Sequence, residues 1–227
     1  MAIEISLCMI VKDEEGNLGN CLKSIDGIFD EINIIDTGSN DRTVEIARQY
    51  TDRVYFYKWG DDFAAARNFS FSKATREYIM WLDADDVITP GNVLKLKKLK
   101  KILSRDIMYV SMYYYYSFDE KGRPLLTHKR DRIVKRSAGF LWIGAIHEYI
   151  DVSGKGLVVD IYVNHNAGRG KGSHKRNFKI LDKLIKSGNK DIRIIRYYAI
   201  GLFDEGDYDK ALEYMNIFID MNKREKI

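Results

Sequence analysis

The segment YIMWLDADD, residues 78–86, contains an apolar run that ends in three carboxylates within four positions. The apolar part has the composition of a buried strand, and Asp83, Asp85 and Asp86 follow at its end. Like charges at this spacing repel one another unless a cation or hydrogen-bond donors lie close to them. The segment therefore predicts a buried strand that ends at a site for a positively charged partner.

Strand and helix patterns alternate along the first half of the chain. Apolar strand patterns at residues 3–11, 31–36 and 53–59 are each followed by a segment with helical spacing, and a lysine-rich helix pattern with Pro90 in its first turn follows residue 86. Such alternation predicts an α/β fold, a Rossmann-like and mostly parallel sheet with helices on both faces. Because sites on such sheets form at the carboxyl ends of the strands, Asp36 is expected to converge with the acidic cluster.

The pattern of the sequence changes after about residue 105. Aromatic-rich runs at residues 107–118, 132–136, 140–150 and 156–165 predict antiparallel strands, and three amphipathic helical segments follow from residue 173. The predicted organisation is a domain at residues 1–172, with halves 1–105 and 106–172, and a short helical segment at residues 173–227.

Composition excludes several classes of protein. The 37 basic and 33 acidic residues leave a formal net charge of +4, a nearly balanced surface that predicts no nucleic-acid partner. Two cysteines, Cys8 and Cys21, cannot build a disulfide framework, which fits a reducing compartment. No basic leader precedes a long apolar stretch, and no run approaches the roughly 18 apolar residues of a membrane span. We therefore expect a soluble, cytoplasmic protein without a transmembrane segment.

The acidic cluster has two interpretations. It is either a solvated turn or a site where a hard divalent cation takes carboxylate oxygens on one side and diphosphate oxygens on the other. In an extended segment Asp83 and Asp85 point to the same side, so one can bind a metal while the other contacts a ribose hydroxyl or a metal-bound water.

Two further segments carry groups suited to nucleotide binding. In DTGSNDRT, residues 36–43, Asp36 closes a strand where its carboxylate can accept hydrogen bonds from a ribose or a base, and Ser39 follows; the alternative is a helix cap. In DDFAAARN, Arg67 offers a fork for phosphate or base oxygens, and the alternative is a surface pair with Asp61 or Asp62.

Candidates for a general base come from the second half. LWIGAIHEYI places His147 beside Glu148 in apolar surroundings, where a carboxylate becomes easier to protonate than in water. The alternative for His147 is a satisfied core residue. His165 ends the last predicted strand, and a glycine-rich basic loop after it either closes over an anionic leaving group or serves as a connector.

Four segments in this order, ISLCMIVKDEEGNLGNCLKSI, DEINIIDTGSNDRTVEIA, DDFAAARN and YIMWLDADD, together resemble the nucleotide-sugar-binding half of family 2 glycosyltransferases, which have the GT-A fold. The resemblance covers about residues 3–90. HEYI and NHNAGRGKGSHKRN, with the helical tail, resemble a bacterial subgroup that carries tetratricopeptide repeats and includes peptide cysteine S-glycosyltransferases.

The resemblance implies a metal-dependent, inverting transferase that moves a sugar from a UDP-sugar to a hydroxyl or thiol of an unidentified peptide, protein or glycan acceptor. Its cofactor would be Mg²⁺ or Mn²⁺. In this assignment Asp36 contacts the nucleoside, Asp83 the ribose or metal, and Asp85 the metal, while His165 completes the metal shell. Ser39 and Arg67 join the donor-binding set.

The catalytic aspartate found in a Glu-Asp pair in many family 2 enzymes has no evident counterpart in this sequence. HEYI occupies the comparable region, so Glu148 is the predicted base, with His147 as the alternative base or as the group that orients Glu148.

The segment RYYAIGLFDEGDYDKALEYM resembles one tetratricopeptide unit, with Gly201, Tyr208 and Ala211 near the usual small and aromatic positions. One unit cannot bury its own apolar face, so it is expected to pack on the first domain, to form a homo-oligomer, or to begin an array. Two other functions remain open: a non-catalytic repeat module with a degenerate nucleotide-binding domain, and a nucleotidyltransferase.

Overall fold

The computed structural model describes residues 2–119, 121, 123–165 and 173–224. The chain divides into two compact units. The larger comprises Met1–Gly144 and Glu148–Gly168, and the smaller comprises Ala145–His147 and Arg169–Ile227. The sequence placed the boundary at residue 172 and gave all of HEYI to the first domain, whereas the structure groups Ala145–His147 with the helices.

Strands and helices alternate from β1 to β4, the short strand β5 then precedes α4, and strands dominate from there to the three C-terminal helices. The described strands are β1 (Ile5–Val11), β2 (Glu31–Asp36), β3 (Val54–Phe56), β4 (Tyr78–Trp81), β5 (Asp86–Val87), β6 (Tyr109–Phe118), β7 (Pro124–Lys135), β8 (Trp142–Ile143), β9 (Tyr149–Ile150) and β10 (Gly156–His165). The described helices are α1 (Leu18–Ser24), α2 (Thr43–Ala47), α3 (Phe63–Ser72), α4 (Pro90–Ile102), α5 (Ser173–Lys186), α6 (Ile192–Asp204) and α7 (Tyr208–Arg224).

Eight of the described strands form one sheet in the order β3-β2-β1-β4-β7-β6-β10-β5. Strands β1 to β4 are parallel, which confirms the predicted α/β class, and β7 runs antiparallel between β4 and β6. The expectation of antiparallel strands throughout the second half is wrong for β10, which pairs with β6 in parallel. The chain between β7 and β10 returns to the end of the sheet at which β6 begins. Strand β10 therefore starts where β6 starts, with Gly156 paired with Tyr109, and runs in the same direction.

The run FLWIGAIHEYI is not one strand. It forms the short antiparallel pair β8 and β9, with residues 144–148 between them. Gly144 has a φ of 96° and His147 a φ of 52°, and neither value is compatible with an extended strand.

Strand β1 lies at the centre of the core because nearly all its residues are buried. Ile5, Leu7 and Met9 belong to the larger apolar cluster, and Cys8 belongs to a smaller one on the opposite face with Phe71 of α3. Burial on both faces explains why the strand has a continuous apolar run rather than alternation. The two covered faces position the carboxyl ends of β1, β2 and β4 side by side.

A buried polar network lies at the amino-terminal ends of β1, β2 and β4, away from the carboxyl ends just described. The Glu31 carboxylate at the start of β2 accepts hydrogen bonds from the Ser6 hydroxyl at 2.8 Å, the Asn33 amide at 2.7 Å and the Thr75 backbone N–H at 3.0 Å. Burial raises the pKa of Glu31, but hydrogen bonds from Thr75, Asn33 and Ser6 outweigh it and lower the pKa to about 2. The network ties β1, β2 and the turn before β4 together.

The three C-terminal helices pack sequentially, and Gly201 allows the closest approach. A Cβ at this position would lie 2.6 Å from the Phe178 ring of α5, so only glycine fits without movement. Ala211 is buried, whereas Tyr208 is 63% exposed and borders an apolar groove of about 410 Å³ between α6 and α7. This uncovered face is what one isolated repeat unit leaves open.

Of the helices in the described part of the chain, none is both long and apolar enough to cross a membrane.

The Glu31 network predicts a defined pH dependence of stability. The folded pKa lies well below the ordinary pKa of a glutamate, so the ionised carboxylate stabilises the fold above that ordinary value and loses this effect as pH falls towards 2. We expect Glu31→Gln to lower the free energy of unfolding by about 3 kcal/mol at pH 7 and by about 1 kcal/mol at pH 3. Urea denaturation at both pH values measures this. Glu45→Gln on the exposed face of α2 is the control, and an equal loss for Glu31→Gln at both pH values would contradict the account.

Candidate active site

The chain turns sharply at the carboxyl end of β4. The Asp86 N–H donates to the Asp83 carbonyl at 3.1 Å, and the Asp83 N–H donates to Asp86 Oδ2 at 2.9 Å. The expectation of an extended segment with Asp83 and Asp85 on one side is therefore wrong, because Asp86 closes a tight turn. The three carboxylates have separate partners: Asp83 pairs with Arg67, Asp85 lies beside His165, and Asp86 pairs with Arg132.

Asp86 and Arg132 form a fully buried ion pair, with exposures of 0% and 1%, joined at 2.8 Å between Oδ2 and Nη1. Burial raises the pKa of Asp86 above its usual range, and the guanidinium opposes the rise. Nη1 also donates to the Trp81 carbonyl, and the guanidinium lies 3.9 Å from the Trp81 ring centroid and 4.7 Å from that of Tyr114. Among the described residues, Asp86 Oδ1 and Arg132 Nε and Nη2 have no hydrogen-bond partner.

An irregularity in strand pairing brings Arg132 into this position. Val110 of β6 pairs with Ile133, but the next residue, Ser111, pairs with Asp131, so Arg132 has no partner across the ladder. Such a bulge re-aims a side chain and is typical of sheet positions beside active sites. Sequence reasoning missed Arg132, which it treated as part of a strand, and gave Asp86 no role.

Arg67 of α3 joins two acids that are distant in sequence. Its Nη2 lies 2.8 Å from Asp83 Oδ1 and its Nε 2.7 Å from Glu148 Oε1, and the guanidinium contacts the rings of Trp81 and Trp142. Burial raises the pKa of Asp83, but the charges of Arg67 and Arg132 outweigh it and lower the pKa below its usual range. Glu148 therefore sits against a cation rather than in the purely apolar setting expected from the sequence.

The alternative reading of Arg67 as a surface partner of Asp61 or Asp62 is wrong. Asp62 instead caps α3 by accepting a hydrogen bond from the Ala65 N–H at 2.9 Å, and Asp61 accepts one from the Trp59 indole at 3.1 Å. Arg67 is 8% exposed. Two of its nitrogens are engaged by carboxylates, which leaves the predicted phosphate fork only partly available.

His165 ends β10 beside the turn. Its Nδ1 lies 2.7 Å from the Tyr114 hydroxyl and 3.5 Å from Asp85 Oδ1, and its ring stacks on that of Tyr116. The hydrogen bond with Asp85 raises the pKa of His165. Asp85, Asp86 and His165 each offer one potential metal-ligand atom, and these three atoms all lie within 4.8 Å of one another.

The charges of this cluster fit a divalent cation. Four carboxylates face two guanidinium groups, a formal balance of two negative charges with every carboxylate ionised and His165 neutral. Carboxylate oxygens and an imidazole form a donor set suited to Mn²⁺ or Mg²⁺. Oδ1 of Asp86 is a buried acceptor with no hydrogen-bond partner in the described part of the chain. The carboxylates are those of Asp83, Asp85, Asp86 and Glu148, and the guanidinium groups are those of Arg67 and Arg132.

The carboxylate of Asp36, the last residue of β2, holds the loop that follows the strand. The Asp36 carboxylate accepts hydrogen bonds from the N–H groups of Gly38 and Ser39 at 3.1 Å each, and Gly38 has a φ of +106°, which favours glycine. The Ser39 hydroxyl accepts a hydrogen bond from the Asp13 N–H at 3.0 Å. Helix α2 begins later, at Thr43, so neither Asp36 nor Ser39 is its cap.

This loop is interlocked with the loop after β1. The Asn40 N–H donates to Asp13 Oδ1 at 2.7 Å, and the Glu14 N–H donates to the Thr43 hydroxyl at 2.7 Å. Asp13 has a φ of 53°, a left-handed conformation that is uncommon for a residue with a side chain. Sequence reasoning did not assign these acids, although KDEE directly after a buried strand was the available signal.

His147 contacts helix α6 of the smaller unit. Its ring stacks on Tyr197 of α6 with centroids 3.8 Å apart, and its carbonyl accepts a hydrogen bond from Arg193 at 2.7 Å. It is grouped with the helical unit, whereas its neighbour Glu148 belongs to the larger unit. Arg67 Nε donates a hydrogen bond to Glu148 Oε1 at 2.7 Å and so helps to orient that carboxylate.

The sequence model of the family described as "Glycosyl transferase family 2" matches residues 6–178. The chain belongs to this family. The match includes every residue of the acidic turn, both buried arginines and His165, and it confirms the resemblance inferred from the sequence.

Relatives of known sequence are longer than this chain. It is 26% identical over 234 residues to the SPbeta prophage-derived glycosyltransferase SunS of Bacillus subtilis (strain 168). This alignment covers 97% of this chain and 54% of that protein. It is 46% identical over 83 residues to a TPR repeat-containing protein of Synechococcus elongatus, 37% of this chain and 21% of the relative. The chain thus spans about half, or less, of the relatives it matches.

Solved structures confirm the fold class. Staphylococcus aureus TarS 1-349 in complex with UDP-GlcNAc matches with a TM-score of 0.54 at 13% identity, over 88% of this chain and 72% of that one. Glucosyl-3-phosphoglycerate synthase of Mycobacterium tuberculosis in complex with Mn²⁺ and UDP-glucose matches with a TM-score of 0.53 at 15% identity, over 83% and 80%. At these identities the likeness establishes the GT-A type of fold.

Proposed function

We propose that this protein is a metal-dependent, inverting glycosyltransferase that takes a UDP-sugar as donor and a hydroxyl or thiol as acceptor. The observation that carries the proposal is the cluster of Asp85, Asp86 and His165 at the carboxyl end of β4, with negative charge left over after both arginines are counted. The family membership and the nucleotide-sugar complexes of its structural neighbours support the same reading.

Asp85, His165 and Oδ1 of Asp86 would hold the Mg²⁺ or Mn²⁺ ion. When bound, the ion supplies positive charge that stabilises the departing diphosphate. The hydrogen bond from the Asp83 N–H to Oδ2 of Asp86 sets the direction of the Asp86 carboxylate within the turn. Preorganised ligands spare the reorganisation that flexible acids would need.

The donor's nucleoside is assigned to the interlocked loops after β1 and β2. Asp36 and Ser39 lie there, and the hydrogen bonds between the loops fix their backbone. Asp83 is assigned to the ribose, with Arg67 holding its carboxylate in place. Arg67 serves in this scheme mainly to orient two acids and only secondarily as a phosphate contact.

Glu148 is the proposed general base. In an inverting displacement the acceptor oxygen or sulfur attacks the anomeric carbon, the bond from that carbon to the diphosphate oxygen breaks, and the acceptor's proton passes to the base. Glu148 and Asp83 share one guanidinium, so the base is held next to a donor-binding acid. His147 is the second candidate. The acceptor class and an oligomeric contact through the helices stay predictions.

Metal-dependent binding of UDP tests the proposal. A ligand at about 100 times its dissociation constant stabilises the native state by about 2.7 kcal/mol, so UDP with Mn²⁺ should raise the unfolding temperature of the wild-type protein. We expect Asp85→Ala to abolish the part of this rise that requires Mn²⁺, since it removes a metal ligand. Asp160→Ala, which removes an exposed carboxylate of β10, is the control.

Unchanged stabilisation by UDP and Mn²⁺ in Asp85→Ala would remove this residue from the site. Selective stabilisation by a nucleoside triphosphate, with release of pyrophosphate, would instead identify a nucleotidyltransferase.

Glu148→Gln separates donor binding from chemistry. Glutamine keeps the size of the side chain and an oxygen that can accept the Arg67 hydrogen bond, but it cannot take a proton. We expect near-normal UDP-sugar binding by calorimetry and a loss of transfer of about 10²–10⁴-fold, with a smaller loss for a thiol acceptor, which ionises more readily. Glu45→Gln is the matched control. Wild-type transfer by Glu148→Gln would exclude it as the base, and lost donor binding would make it a donor-site residue.

A further inference from the structure

Arg132 is a buried charged side chain beside the candidate metal cluster, at 1% exposure. We propose that Arg132 is a positioning residue that aligns two of the three metal ligands, Asp86 directly and His165 through Tyr114. The inference rests on the proposed metal site and adds to it a residue that lies outside the ligand set. Three observations carry it: the bonding of Asp86, the contact with Tyr114, and the bulge in β7.

The direct contact orients Asp86. Arg132 Nη1 and the Asp83 N–H both donate to the same oxygen, Oδ2, at 2.8 and 2.9 Å. With that oxygen held from two directions, the other, Oδ1, has a defined position and no hydrogen-bond partner among the described residues. A buried acceptor left free in this way, in a cluster with Asp85 and His165, points to a ligand rather than to solvent.

The indirect contact orients His165. The Arg132 guanidinium lies 4.7 Å from the centroid of the Tyr114 ring, and the Tyr114 hydroxyl lies 2.7 Å from His165 Nδ1. With Nδ1 held by Tyr114, Nε2 is the nitrogen that would bind the metal, and a hydrogen bond to the second nitrogen of a ligating histidine commonly fixes the direction of its ring.

The bulge explains how one residue reaches both ligands. Because Arg132 has no partner across the β6–β7 ladder, its side chain is displaced from strict alternation and lies between Trp81 and Tyr114. Its Nη1 bond to the Trp81 carbonyl also connects it to the last residue of β4. Arg132 therefore contacts the strand before the turn, the acid that closes the turn, and the aromatic residue behind the histidine.

Two roles for Arg132 predict opposite effects on metal affinity. If the guanidinium were only a counter-charge for the acids, it would repel a cation, and its removal would strengthen metal binding. If it positions the ligands, its removal weakens metal binding, because Asp86 and His165 lose their alignment. The sign of the change therefore distinguishes the two roles.

The experiment measures Mn²⁺ alone binding to the full chain, by calorimetry or by the paramagnetic signal of the free ion. We expect Arg132→Met to weaken Mn²⁺ binding by about 10–100-fold, the usual effect of removing an outer partner of a metal ligand. Arg132→Lys keeps the charge but not the planar fork, and we expect an intermediate loss. Arg130→Met removes an exposed arginine from the same strand and should bind Mn²⁺ as the wild type does.

Tyr114→Phe keeps the inference testable if Arg132→Met does not fold, because it removes one hydroxyl and retains the ring. We expect a loss of Mn²⁺ affinity of about tenfold at an unfolding temperature close to the wild-type value. Equal or tighter Mn²⁺ binding by Arg132→Met, or unchanged binding by Tyr114→Phe, would overturn the inference. A wild-type protein that does not bind Mn²⁺ would overturn the proposed metal site itself, whereas affinity lost in Asp85→Ala but kept in both other variants would overturn only the positioning role.

Discussion

Compensation of buried negative charge at the carboxyl end of β4 is the constraint on which the rest of the site depends. Asp83 and Asp86 are held by Arg67 and Arg132, which come from α3 and from β7, so helix, turn and returning strand must all be in place at once. Removing one partner of a buried ion pair typically costs 3–5 kcal/mol, because the remaining charge is left uncompensated. This cost applies to Asp86 and Arg132, the pair of the two that is fully buried, so the fold and the site both require this contact to be made.

Trp81 connects the two arginines. Its ring contacts the guanidinium of Arg67 at 4.8 Å and that of Arg132 at 3.9 Å, and its indole N–H donates to the Asp131 carbonyl at 2.7 Å. A cation against an indole ring regains part of the stabilisation that it loses with its water, about 2 kcal/mol or more when desolvated. This contact accounts for a large aromatic residue at the end of β4, where a smaller apolar residue would fill the strand equally well.

The sequence predicted the parts of the fold that depend on local pattern, and less of what depends on distant partners. The alternation of apolar strand segments with helical segments identified β1, β2 and β4. General sheet geometry then predicted that Asp36 and the acidic cluster lie at the carboxyl ends of strands. The turn that separates Asp83 from Asp85 could not be predicted, because Asp86 Oδ2 closes it and Arg132, 46 residues away, holds that oxygen. The bulge that delivers Arg132 depends on register between β6 and β7, which apolar patterning does not specify.

Diffraction at the manganese absorption edge, from crystals grown with Mn²⁺ and UDP, tests the central claim most directly. The account predicts one anomalous peak bonded to Asp85, to Oδ1 of Asp86 and to His165, with Arg132 still paired to Oδ2 of Asp86 and Asp83 still paired to Arg67. A peak bonded to Asp83 instead of Asp86, or a His165 ring directed away from the metal, would contradict it.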